Sequence, residues 1–162
     1  MLGTLFKVLI VTLIVVAITG FIGLVIMAGV AGTHGVKRVA IPENSYLAAA
    51  AQSADYADAY RIPMEFVFYR DIHGVIQNAT IKGDNEVHRS ETEVVYEGKA
   101  PGLRYQVSYV LDRSVDPPTL AMVTVVKITD PGKGRYYWKA FRPIHRSLAP
   151  YMLDRLASNA PN

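Results

Sequence analysis

His34, His73, His88 and His145 carry the only imidazoles in the chain, and because cysteine is absent the other strong metal-ligating and proton-transferring groups are Asp and Glu. The lack of cysteine removes iron–sulfur, zinc-ribbon, redox CxxC and cysteine-nucleophile chemistry together. His88, Glu91 and Glu93 are close in sequence, but on one extended strand over 87–97 odd spacings alternate sides, so His88 faces away from both acids. Asp55 and Asp58 fall on opposite faces of an extended chain for the same reason, which argues against paired-carboxylate catalysis. No HExxH, phosphate-binding loop, nucleophile elbow or dinucleotide glycine pattern occurs. The expectation is a protein with no catalytic residues, no cofactor and no metal site.

The denser signal is aromatic and basic. Tyr136, Tyr137 and Trp138 stand beside Lys139, Phe141 and Arg142, with His145 and Arg146 one turn further on. Three roles fit such a cluster: core packing with the charges carried outward, a belt against lipid headgroups, or a cavity or partner surface. Residues 132–157 hold six basic side chains against Asp154, a net charge of +5, whereas residues 33–131 hold ten basic and thirteen acidic ones, a net charge of −3. A basic stripe on an acidic domain suits anionic lipid or an acidic protein surface better than nucleic acid. Tyr136, Trp138, Lys139, Arg142, His145 and Arg146 are therefore the expected partner or lipid surface. Arg146 also has a simpler expected role, pairing with Asp55 or Asp58 to anchor the C-terminal helix.

The elements that position these residues begin with an uncharged run of 23 residues, 8–30. As a helix it extends about 34 Å against a hydrocarbon core of roughly 30 Å. It is longer than the roughly 7–15 apolar residues of a cleaved leader, so residues 1–32 read as an uncleaved, single-pass transmembrane anchor. Gly20 and Gly23, with Thr19 and Ala28, give it small-sided patches that a neighbouring helix could approach. Lys7 lies on one flank and Lys37 with Arg38 on the other, which leaves the orientation open. The reading adopted places the domain outside the cytoplasm.

Residues 33–42 read as a linker, 43–158 as one domain and 159–162 as a frayed tail. Within the domain a short helix is expected after position 46, a strand over 56–62, and a helix over 64–79 from the spacing of Met64, Phe68, Ile72 and Ile76. Three strands follow, 87–97, 103–113 and 119–129, with Tyr105, Val107, Tyr109 and Leu111 on one face of the second and Leu120, Met122, Thr124 and Val126 on one face of the third. From 134 to 157 Tyr137, Phe141, Ile144, Leu148, Met152 and Leu156 recur at helical spacing, which predicts a core-facing stripe on a helix that is kinked near 139–143 or begins at Pro143. The fold class is α+β: an antiparallel sheet packed on a long C-terminal helix. If the two leave an apolar cavity, Tyr105, Tyr109, Met122 and Phe141 are its expected lining.

The stretch 53–60 (SADYADAY), with Gly134-Arg135-Tyr136-Tyr137 and Arg142-Pro143-Ile144-His145-Arg146, resembles the two ends of a bacterial family of unknown function. That family carries an Asp-Tyr-x-Asp-Ala entry and a Gly-Arg-x-Tyr…Pro-x-His-Arg exit, and the resemblance covers about 38–158. Ile144 stands where the family has Phe, and the chain lacks the tryptophan-containing helical insert of fuller members. The resemblance implies a bacterial protein with a shortened SRPBCC or START-like helix-grip fold, in which a sheet wraps a C-terminal helix; with the N-terminal anchor, the expected setting is the inner membrane. It implies no reaction. The functional expectation is a non-catalytic accessory or scaffold subunit of a membrane complex, in contact with the bilayer and with other membrane-protein subunits. The alternative is a tethered START-like carrier or sensor for a lipid or other apolar ligand. A deep cavity favours the second, a filled core with an exposed aromatic patch the first.

Overall fold

The computed structural model describes residues 2–63, 81 and 83–158. The expected helix over 64–79 and the tail over 159–162 lie outside the described residues. The chain order is α1 (Leu2–Thr33), β1 (Lys37–Val39), α2 (Ala48–Gln52), β2 (Tyr56–Pro63), β3 (Asn85–Arg89), β4 (Glu93–Ala100), β5 (Leu103–Asp112), β6 (Thr119–Ile128) and α3 (Pro131–Ser158).

Helix α1 is one run of 32 residues in which Lys7 is the only charge. Its described side chains are unbroken only from Thr12 to Ile26, and among the described residues no helix is long and apolar enough to cross a membrane. Within that run Leu13, Val16, Phe21 and Ile26, which point in different directions around the helix, are all more than half exposed. A Cβ added at Gly20, Gly23 or Gly29 would meet nothing within 4 Å. Helix α1 packs against α3, and beside this contact His34 Nδ1 lies 2.6 Å from Oδ1 of the buried Asp154.

The six strands form one antiparallel sheet in the order β1-β2-β6-β5-β4-β3. Strand β1 arises inside the stretch expected as a linker and pairs along β2, Lys37 opposite Arg61. The strand expected over 87–97 is two strands. Ser90 Oγ accepts from the N–H groups of Thr92 and Glu93 at 3.3 and 3.0 Å, so the side chain closes a tight turn that folds β4 back on β3. Strands β2, β5 and β6 fall within one residue of expectation, because alternating apolar residues and Pro- or Gly-containing breaks define them locally.

One face of the sheet, through Tyr60, Ile62, Val94, Tyr109, Leu111 and Leu120, packs on Ala149, Leu153 and Ala157 of α3. The other face buries Val95, Val110, Ala121 and Val123 under Leu47 and the segment carrying α2. Buried Glu93 ties that segment down by accepting hydrogen bonds from Ser45 Oγ, the Tyr46 N–H and Ser108 Oγ.

Two features of α3 differ from expectation. The helix starts at Pro131, not at 134 or Pro143: Asp130 Oδ1 accepts from the N–H groups of Gly132 and Lys133 at 2.9 and 3.1 Å, and Pro131 follows as first residue, where its missing N–H costs nothing. Pro143 and Pro150 both lie within the helix. The innermost stripe is His145, Ala149, Leu153 and Ala157, one position beyond the apolar residues that mark the expected stripe, while Ile144 and Tyr137 are 39% and 37% exposed. Two alanines on this stripe bring the helix close to the sheet. At its start the approach is closer still, because a Cβ on Gly134 would collide with the carbonyl of Gly102, whose own φ is +74°.

Candidate functional site

Among the described residues, the space between α3 and the sheet is not filled along its whole length. A cavity of about 250 Å³ lies under Phe141, Leu148 and Met152 of α3 and over Tyr105, Val107 and Met122 of the sheet. It opens where the helix stripe splits: Ala149 and Leu153 reach the sheet, and Phe141, Leu148 and Met152 stand to one side, half-buried. Three of the four expected lining residues, Tyr105, Met122 and Phe141, are there. The fourth, Tyr109, is not; it is 3% exposed and packed into the core. Its burial pushes the phenol far above its ordinary range.

The cavity wall is apolar except at a few points. Tyr105 lies across its cross-strand partner Gly98, where any Cβ would strike the ring, and its hydroxyl donates to Asp84 Oδ1 at 2.9 Å. Burial and the Asp84 carboxylate push the Tyr105 phenol up to about 12. Thr124 is 3% exposed, lines the cavity, and its Oγ1 has no hydrogen-bond partner among the described residues. A buried hydroxyl left unpaired costs free energy.

Thr124 sits directly opposite Asp58 in the β2–β6 ladder. Asp58 is buried, and above it His145 Nε2 comes within 3.2 Å of Oδ1 while Tyr56 donates its hydroxyl to Oδ2 at 2.5 Å. Burial alone would raise the Asp58 carboxyl, but the hydrogen bonds from His145 and Tyr56 more than offset it and hold the group below the usual carboxylate range. The ionised Asp58 thus takes the Nε2–H of His145 as a donor. Burial and the same carboxylate raise the Tyr56 phenol.

His145 therefore does not belong to an exterior surface as expected; it is 7% exposed and forms part of the cavity wall, ringed by Trp138, Phe141 and Tyr56. Among the described residues no arginine is ion-paired to Asp58: Arg146, the position after the proline motif's histidine, is exposed, and Asp55 accepts from the Ile128 N–H and lies 4.0 Å from Lys127. His88 stacks on Tyr46 with ring centroids 4.5 Å apart. Glu93, expected on its strand, lies on β4.

The other expected surface residues do gather. Arg135, Lys139, Arg142 and Arg146 line one groove along the outer side of α3, with Trp138 and Pro143 between them. All four cations are exposed, and Arg142 lies over the Tyr56 ring, 4.9 Å from its centroid. Tyr136 is 79% exposed and does not line the groove. Trp138 is half-buried and is common to the groove and the cavity. Reading the sequence alone missed Thr124 as an unsatisfied group and Asp58 as the partner of His145. The pairing of β2 with β6 sets both.

No family model matches the chain, and neither does any curated protein or solved structure.

Proposed function

We propose that this protein is a membrane-anchored, non-catalytic carrier or sensor that holds a small apolar or amphipathic molecule between the sheet and α3. The observation that carries this reading is the cavity of about 250 Å³, walled mainly by apolar side chains, between the sheet and α3. A dry apolar cavity of about 150 Å³ suffices for a benzene-sized guest, and drug-sized ligands occupy upward of about 300 Å³, so the fitting guest is one ring system or one short chain. Anchoring is supported by the uncharged run 8–30, which lies within α1 and extends past its described side chains at both ends, and by apolar side chains exposed around the helix. Exposed apolar surface of that extent marks a membrane or protein contact. The sheet-and-helix arrangement is compatible with a shortened helix-grip fold.

The test uses the full chain in amphipol with the apolar dye N-phenylnaphthylamine, against an amphipol blank. Saturable binding of one dye per chain, lost in Val107→Phe, which fills the cavity from β5, is the expected result. Dye uptake no greater than the blank, or uptake unchanged in a folded Val107→Phe, overturns the reading. A scaffold role in a larger membrane complex is the second reading, favoured by the open flank of Gly20, Gly23 and Gly29 and by exposed Tyr136.

A further inference from the structure

The groove on the outer side of α3 has a charge pattern that packing does not explain. Arg135, Lys139, Arg142 and Arg146 are spaced by four, three and four residues, so they form three neighbouring like-charge pairs on one helix face. Such pairs destabilise a helix unless an anion relieves them. None of the four is ion-paired to a carboxylate among the described residues. The remainder of residues 132–157 adds two further cations and a single acid, and that acid, Asp154, is taken by His34. Tyr56 pre-positions part of the array: its ring carries the Arg142 guanidinium, 4.9 Å from the centroid. Three guanidiniums and an ammonium on one wall are a match for a dianionic oxyanion head, which arginine engages bidentately.

This groove is not remote from the cavity. Trp138 is a wall of both, so an acyl chain in the cavity and a charged head in the groove would meet at one indole ring. From these observations we infer that the ligand is a single-chain phosphate monoester amphiphile, its tail in the cavity and its phosphate on Arg135, Lys139, Arg142 and Arg146. The inference rests on the cavity reading above and deepens it, by stating what the head of the guest must be. It also gives the exposed cations a function that a solvated helix face would not.

Trp138 is the chain's only tryptophan, so its fluorescence reports occupancy without a label. Dodecyl phosphate, dodecanol and inorganic phosphate are titrated separately into the full chain in amphipol. Dodecyl phosphate is expected to bind at least about tenfold more tightly than dodecanol, inorganic phosphate to bind far more weakly than either, and added salt to weaken only the phosphate-bearing ligands. Arg135→Gln with Lys139→Gln, two residues away from the Asp58 cluster, is expected to erase the preference for the phosphate while leaving dodecanol affinity unchanged. Val107→Phe, or Leu148→Phe if the first variant fails to fold, is expected to weaken both chains.

Equal affinity for dodecanol and dodecyl phosphate, with cavity variants still weakening both, would overturn the head assignment and leave the cavity reading standing. Inorganic phosphate binding as tightly as dodecyl phosphate would also overturn it, since the groove would then be a free anion site with no tail. Cavity variants without effect on either chain would remove the cavity reading and this inference with it.

Discussion

Replacing His145 by alanine strands a buried carboxylate. Among the described residues Asp58 accepts two side-chain hydrogen bonds, from Tyr56 at 2.5 Å and from His145 at 3.2 Å, and is itself 3% exposed. Removing one hydrogen-bond partner of a buried carboxylate costs about 3 kcal/mol or more, above the range for a neutral group. Tyr56 still donates in His145→Ala, and the deleted ring borders a cavity that can admit water, so a loss near the lower end, about 3 kcal/mol, is expected. Asp58→Asn removes the charge that makes the loss large. In that background His145→Ala is expected to cost only about 1 kcal/mol, a coupling of about 2 kcal/mol between the two positions. The assay is urea unfolding of the full chain in amphipol, followed by far-ultraviolet circular dichroism so that the altered surroundings of Trp138 do not enter the signal. The acid limb supplies a second readout. The folded Asp58 carboxyl lies below its ordinary value, so its contribution is complete above the unfolded pKa of about 3.9 and is lost as the pH falls through the folded value. Asp58→Asn should flatten that limb. If His145→Ala costs the same in both backgrounds to within about 0.5 kcal/mol, the two residues are not coupled and the reasoning fails.

Gly134→Ala should destabilise the protein by about 1–3 kcal/mol in the same unfolding assay, because its Cβ meets the Gly102 carbonyl and both partners are backbone, which has no rotamer to yield; a loss under about 0.5 kcal/mol would show that the turn shifts freely. The Tyr60 and Tyr105 phenols, both pushed up to about 12, should be silent in an ultraviolet titration until well above pH 10. Their raised folded values mean that stability is constant below the unfolded pKa of about 10 and falls as the pH rises from there through 12; ionisation of every tyrosine near pH 10 in the folded protein would contradict the packing described for both.

Local pattern alone determined the architecture where structure has a short repeat. Alternation placed β2, β5 and β6 to within a residue and put Tyr105 with Val107, and Leu120 with Met122, on one face of each strand, because side chains of a strand alternate whatever lies beyond it. The same parity puts Ala121 on the opposite face, against Leu47 and Val110. Helical spacing identified α3 but not its rotation. Phe141, Ile144, Leu148 and Met152 are the larger apolar residues, yet the small Ala149 and Ala157 are innermost, since a helix settles on a sheet where the gap is narrowest. Asp130-Pro131 has the residue types of a turn and of a helix start alike, and only the two N–H groups bound to Asp130 distinguish them. The site depends most on tertiary structure. Asp58 and His145 are 87 positions apart, and Thr124 stands opposite Asp58 only because β6 pairs with β2. A chain's own periodicities encode which face is apolar, but whether two apolar faces close completely or leave a cavity depends on side-chain volumes brought together from distant positions, and no local pattern carries that sum.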